Sequence, residues 1–186
     1  MKFFVFALLL LTGYLSVPAQ AAQRATVKLL MHDLAGNALP ARLIGGALSL
    51  TGEGGKHWAI VVQFDGDDQV YLCELHRDPN TGNKGSGGIT WICERMTKEQ
   101  VLNGKSGVHV YNFGKVDLTP EQLKTYCREI KFNGQDYNLI LQNCQHWAKD
   151  LIGKLGLSTT WFNIKSFLEK TTGPGFFYSL FEGHKL

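Results

Sequence analysis

The chain carries little net charge. Its formal charge is +3, and Lys2 lies in a leader-like segment whose removal takes one of those charges and leaves +2. Lysines and arginines are scattered and not clustered, so neither nucleic acid nor an anionic lipid surface is an expected partner. Beyond residue 21 no run stays apolar long enough to span a bilayer, which predicts a soluble mature chain with no transmembrane segment. Internal repeats and low-complexity stretches are missing. The glycine-rich stretch Gly82 to Gly88 is not followed by Gly-Lys-Ser/Thr, which excludes a phosphate loop. Asp65-Gly66-Asp67-Asp68 lacks the ligand spacing and closing glutamate of an EF-hand and reads as a solvated hairpin tip. No second Cys/His pair at zinc spacing accompanies Cys144 and His146. A metal held by Cys144, His146 and His57 is therefore a weak reading, and no metal or cofactor is expected.

What is present begins with an export signal. Lys2 supplies a positive start, Phe3 to Leu11 an apolar stretch too short to span a membrane, and Ala19-Gln20-Ala21 a small-residue cleavage site. Residues 1–21 thus read as a signal peptide and the mature protein as secreted, extracellular or periplasmic. Residues 22–186 have the length of one domain with a substantial core. The 21 glycines suit a loop-rich α+β chain better than a helical bundle.

Alternation and β-formers predict strands over Thr26 to Leu34, His57 to Phe64, Gln69 to His76, Ile89 to Arg95 and Val108 to Phe113. The second of these is apolar on both faces, with His57, Ala59 and Val61 on one side and Trp58, Ile60 and Val62 on the other, so it is a central strand. Pro40 to Ser49 is ambiguous between helix and strand. Thr97 with Gln100, and Thr119 with Pro120 and Gln122, are helix starts of capping-box type, and Met96 can staple onto Val101. Gly104 closes the first helix and Gly134 the second, whose apolar face is Leu123, Tyr126, Cys127 and Ile130. A third helix runs from Cys144 to near Gly153–Gly156. Ser158 can cap a last amphipathic stretch containing Trp161, Ile164, Phe167 and Leu168, and the tail, 171–186, is aromatic.

Cys144 is where chemistry concentrates. Asn143 is a good helix cap, and Cys144 then sits at the first helical position, among unpaired amides and at the positive end of the helix dipole. That position lowers a thiol's pKa and favours the nucleophilic thiolate. Ala148, Leu151, Ile152 and Leu155 follow at helical spacing, which turns the thiol toward the protein interior. A cysteine on an apolar helix face is more often a small core residue than a nucleophile. The cap, the helix start and an available base shift the balance toward catalysis.

The best base is His57, which opens the central strand. A lone strand histidine is more often structural, but a helix-start cysteine with a strand histidine is the papain-like pairing, here in reversed chain order. The hairpin turn near Gly66 brings Glu74 or His76 back opposite His57 as the group that orients the ring, and a simple dyad without either is a third option. The backbone N–H of Cys144 can donate to an oxyanion, with Gln142 as a second candidate donor beside the capping Asn143. His146 falls on the far side of the helix and reads as structural or exposed. His32, His109 and His184 have no supporting context.

The four cysteines are Cys73, Cys93, Cys127 and Cys144. An oxidising compartment invites disulfides. Cys73 and Cys93 flank the loop Asn80 to Gly88 and can face each other across a hairpin, so one bridge, Cys73–Cys93, is expected at most. Cys127 would stay reduced in the core and Cys144 free.

Several short motifs taken together resemble a known family. In order they are Val27-Lys28-Leu29-Leu30-Met31-His32-Asp33-Leu34, the His57 strand, Gly85-Ser86-Gly87-Gly88-Ile89, Leu118-Thr119-Pro120-Glu121-Gln122-Leu123, and Tyr137-Asn138-Leu139 leading to Asn143-Cys144. They are similar to the PPPDE superfamily of thiol peptidases, which includes the desumoylating isopeptidases. The resemblance implies a circularly permuted papain-like fold, an antiparallel sheet packed against the helix that carries the cysteine, and a His57–Cys144 dyad. His57-Trp58 and Asn143-Cys144-Gln145-His146-Trp147 also resemble the related lecithin:retinol acyltransferase-like group, in which a second strand histidine assists, and this would favour His76. Both groups are related to NlpC/P60 peptidases. The implied chemistry is an acyl thioester at cysteine, with a peptide or isopeptide substrate as the first expectation and an acyl lipid as the second. A binding module that keeps the fold without activity is the rival class.

Overall fold

The computed structural model describes residues 21–33, 56–77, 89–135 and 143–160. Five strands form one antiparallel sheet in the order β4-β3-β2-β1-β5. They are β1 (Gln23–Asp33), β2 (Lys56–Phe64), β3 (Val70–Arg77), β4 (Ile89–Met96) and β5 (His109–Leu118). β2 lies in the middle, as its two apolar faces predict, and Trp58 to Val62 are all buried. Three helices accompany the sheet: α1 (Lys98–Leu102), α2 (Pro120–Arg128) and α3 (Cys144–Lys154). The architecture is α+β. The segment 40–49, the loop 80–88, Gln142, the stretch from Trp161 and the aromatic tail lie outside the described residues.

Strand alternation divides the core in two. Val27, Leu29, Met31, Trp58, Ile60, Val62, Cys73 and Leu75 point to the face covered by α2 and α3 and meet Leu123, Cys127, Trp147, Ala148, Leu151 and Ile152. The other face carries a smaller cluster of Leu30, Ala59, Val61, Val70, Leu72 and Val110, roofed by Val101 of α1. Each large apolar side chain so buried contributes about 1.5–3 kcal/mol.

The helix starts are built as their sequences require. Thr97 and Thr119 each accept from the third helical amide, and Gln100 and Gln122 reach back to the cap amides at 2.8 and 2.7 Å. The ends hold two corrections. Gly134 does not close α2, which stops at Arg128. Instead the side-chain amide of Asn133 donates through Nδ2 to the carbonyls of Cys127 and Arg128 at 2.8 and 2.9 Å, and Gly134 takes its positive φ in the turn beyond. A side chain closing the helix leaves no glycine signature at the true end. The second correction is β5, which runs five residues past Phe113 to Leu118. Val27 pairs with Gly114 while Lys28 pairs with Asn112, so Phe113 is the extra residue of a bulge. Gly114, at φ 121°, absorbs that bulge.

The hairpin tip is tied down, not simply solvated. Asp67 receives a bidentate contact from Arg95 at 2.8 Å, and Asp65 one from Lys115 at 2.8 Å. Among the described residues no helix is long and apolar enough to cross a membrane.

Candidate active site

The site lies where one end of the sheet meets the start of α3. Asn143 is in extended conformation and its side-chain oxygen accepts from the amides of Gln145 and His146 at 3.0 and 3.1 Å. The same oxygen lies 2.9 Å from Nδ1 of His146, so that ring nitrogen donates and the side chain of His146 reinforces the cap. His146 also meets the edge of Phe132. Its role is structural, one of the two readings its position allowed.

Cys144 is buried at the first turn of α3, in line with buried Ala148, Leu151 and Ile152. The rotation of α3 is fixed by Trp147, which is fully buried and donates its indole N–H to Asn133 at 3.0 Å. Asn133 thus joins the end of α2 to the first turn of α3. The far end of α3 is closed by Gly156 at φ 74°, with Leu157 N–H on Ile152 O at 3.2 Å and Gly156 N–H on Gly153 O at 3.0 Å. This pattern satisfies the last carbonyls of the helix.

His57 stands at the start of β2. Its Nε2 lies 3.0 Å from Oε2 of Glu74 on neighbouring β3, and its ring is also hydrogen-bonded to the Cys144 thiol. With Nε2 committed to Glu74, Nδ1 is the nitrogen left for sulfur. Burial alone pulls the imidazole pKa down, but the hydrogen bonds to Cys144 and Glu74 and their negative charges outweigh it and push His57 up to about 9. The arrangement holds an imidazolium between a thiol sulfur and a buried carboxylate. Of the two residues the sequence left open as ring partner, Glu74 is therefore in contact. His76 pairs by its backbone with Thr90, and its side chain lies outside the described residues.

His32 has no supporting context in the sequence, yet the structure sets it directly opposite His57, with ring centroids 5.2 Å apart. Its Nδ1 is 2.9 Å from the carbonyl of Asp33, which makes that nitrogen the donor. Burial lowers its pKa, so His32 is the neutral member of the pair. Only the β1–β2 register reveals this contact, and register across residues 34–55 is not readable from spacing. The flanking residues hold this end of the sheet. Lys56 donates to Asp33 at 2.6 Å and to the carbonyl of Gly107 at 2.8 Å, and Ser106 donates to Asp33 at 3.3 Å.

Two clusters have ligand atoms within 4.8 Å of one another, His32–His57–Glu74 and Cys73–Cys93–Cys127. In the first, a cation would displace the proton that His57 holds between its two acceptors, which argues for proton chemistry. The second takes in the pair expected to face each other across a hairpin, Cys73 and Cys93. Cys73 and Cys93 do face each other across β3 and β4, but as free thiols with sulfurs 3.1 Å apart. Cys127 is not an isolated core thiol, since it hydrogen-bonds to both. Hydrogen bonds from Cys127 and Cys73, with the charge of Lys124, hold Cys93 below the ordinary thiol range, while burial pushes Cys73 up.

No curated protein and no solved structure matches the chain significantly. The family model of the PPPDE putative peptidase domain matches residues 25–172, which takes in β1 to α3 and both His57 and Cys144. With most of its length inside that match and an α+β sheet-and-helix frame compatible with a papain-like fold, the chain belongs to the PPPDE peptidase-domain family.

Proposed function

We propose that this protein is an exported thiol hydrolase that cleaves an amide or isopeptide bond through an acyl thioester on Cys144. The supporting observation is the His57 ring, held between the Cys144 thiol and the buried carboxylate of Glu74. The Cys144 thiolate attacks the carbonyl carbon, and the carbonyl π electrons move to oxygen. The backbone N–H of Cys144, in the first turn of α3, donates to that oxyanion, with Gln142 as second donor. Nδ1 of His57 gives its proton to the departing amine as the carbon–nitrogen bond breaks, leaving a thioester and a neutral imidazole. Nδ1 then takes a proton from water, hydroxide adds to the thioester, and sulfur leaves as thiolate with the acid product. Glu74 fixes the ring through Nε2 and stabilises its charge throughout. Export rests on Lys2, the apolar stretch and Ala19-Gln20-Ala21.

The test is alkylation of the native protein with iodoacetamide across pH, followed by peptide mapping. Mapping is required because Cys93 is also held toward thiolate. The expected result is rapid modification at Cys144 below the ordinary thiol range, slowed in His57→Ala, and cleavage of a peptide-amide library that vanishes in Cys144→Ala. No modification at Cys144, or modification indifferent to His57→Ala, overturns the proposal. Fatty-acid release from phospholipid vesicles without amide cleavage replaces the substrate class with an acyl lipid.

A further inference from the structure

On the helix-covered face of the sheet, three sulfurs converge from three elements. Cys73 on β3 and Cys93 on β4 are direct cross-strand partners, and Cys127 comes from the last turn of α2. The Cys73 and Cys93 sulfurs are 3.1 Å apart, and all three lie within 4.8 Å of one another. Cys73 and Cys127 are fully buried, and Cys93 is half-buried. Among the described residues no fourth histidine, cysteine or carboxylate joins them. The surroundings are otherwise apolar, with Leu75, Leu123 and Tyr71 in the same core, and Lys124 supplies a positive charge near Cys93.

We propose that Cys73, Cys93 and Cys127 form a three-sulfur site for one Cu(I) ion. A metal–thiolate bond of about 2.3 Å in a trigonal plane requires sulfurs about 4 Å apart. The Cys73–Cys93 pair is closer than that, at 3.1 Å, and all three sulfurs lie within 4.8 Å of one another, so the triangle requires a slight opening of that pair. Thiolate donors select soft cations, and a three-donor set suits Cu(I), whereas Zn(II) in a structural site takes four. Binding joins copper to the Cys93 thiolate and to the Cys73 and Cys127 sulfurs, breaking two S–H bonds, forming three copper–sulfur bonds and releasing two protons to solvent. The oxidation state of the metal does not change, and no further reactant is needed. The −2 charge of the resulting tris-thiolate is offset in part by Lys124. The ion would pin β3, β4 and α2 together, and nothing in this assignment depends on the chemistry of Cys144.

The experiment is anaerobic competition of the fully reduced full-length protein against a chromogenic Cu(I) chelator, with a parallel Zn(II) titration and X-ray absorption on the copper-loaded protein. The expected result is one Cu(I) per chain, three sulfur neighbours at about 2.3 Å, and unchanged binding in Cys144→Ser. Each of Cys73→Ser, Cys93→Ser and Cys127→Ser should weaken binding by more than about 100-fold, since loss of a ligand exceeds the 10–100-fold cost of losing a supporting partner. Cys93→Ser replaces a half-buried thiol and decides the matter if the two buried variants do not fold. The assignment falls if reduced wild type takes no Cu(I), if Cys93→Ser binds as tightly as wild type, or if only Zn(II) occupies the site.

Discussion

Replacing Glu74 by glutamine keeps a hydrogen-bond acceptor within reach of His57 Nε2 and removes the negative charge. The rise of His57 from 6.5 to about 9 corresponds to about 3 kcal/mol favouring the imidazolium, at about 1.4 kcal/mol for each pH unit. Cys144 and Glu74 share that stabilisation against the cost of burial. Loss of the Glu74 charge should bring the midpoint down by about one pH unit. A suitable readout is the ratio of iodoacetate to iodoacetamide rate constants at Cys144. The anionic reagent is favoured only while the neighbouring imidazole is charged, so the ratio falls as His57 loses its proton. In wild type it should fall with a midpoint near 9, and in Glu74→Gln near 8. An unmoved midpoint would refute the reasoning, because it would mean that the contact at 3.0 Å does not govern the ring's charge.

Stability should follow the same group. Because the folded-state pKa of His57 is raised, its contribution is complete below about 6.5, declines as pH rises, and is lost through about 9; denaturant midpoints at pH 6 and 9.5 should differ in that direction, and the difference should vanish in His57→Gln. Asn133→Ala strands the buried indole N–H of Trp147 and two carbonyls at the end of α2, and should cost about 2–3 kcal/mol in urea unfolding. Asn133→Asp, which keeps an acceptor for Trp147, should cost less. Gly107→Ala forces a side chain onto a residue at φ 56° and drives its Cβ into the Asp33 carboxylate. It should lower the melting temperature and slow Cys144 alkylation by loosening the corner beside His32 and His57, and an unchanged alkylation rate would show that this corner does not position the ring.

Much of this fold is written locally. Period-two alternation located the strands, and Thr97/Gln100 and Thr119/Gln122 announced their helices because a capping box lies within four residues. The Asn143–Cys144 junction was legible for the same reason. What escaped depends on partners far apart in sequence. The bulge at Phe113 exists only against β1, the end of α2 is set by a side chain in the following turn, and His32 meets His57 only through strand register. The contact of His57 with Glu74 is a side-chain contact between neighbouring strands, which counting from a turn does not supply. The third thiol was missed because Cys127 reaches the Cys73–Cys93 pair from a helix, and spacing along the chain is silent on that approach.

The place of β1 in the sheet bears on how the chain acquires its structure. β2, β3 and β4 form a meander whose pairings are close in sequence. β1 instead lies between β2 and β5, with Met31 against His109 and Gln23 against Leu118. Until β5 exists, one edge of β1 has no ladder, and the apolar residues of the first strand have only half their neighbours. Pairings of such long sequence separation are slow to form. A chain emerging residue by residue would therefore complete its sheet only after Leu118 had been made, while Cys144 and its helix were still to come. Cys144 would arrive last, onto a frame in which His57 and Glu74 already stand side by side.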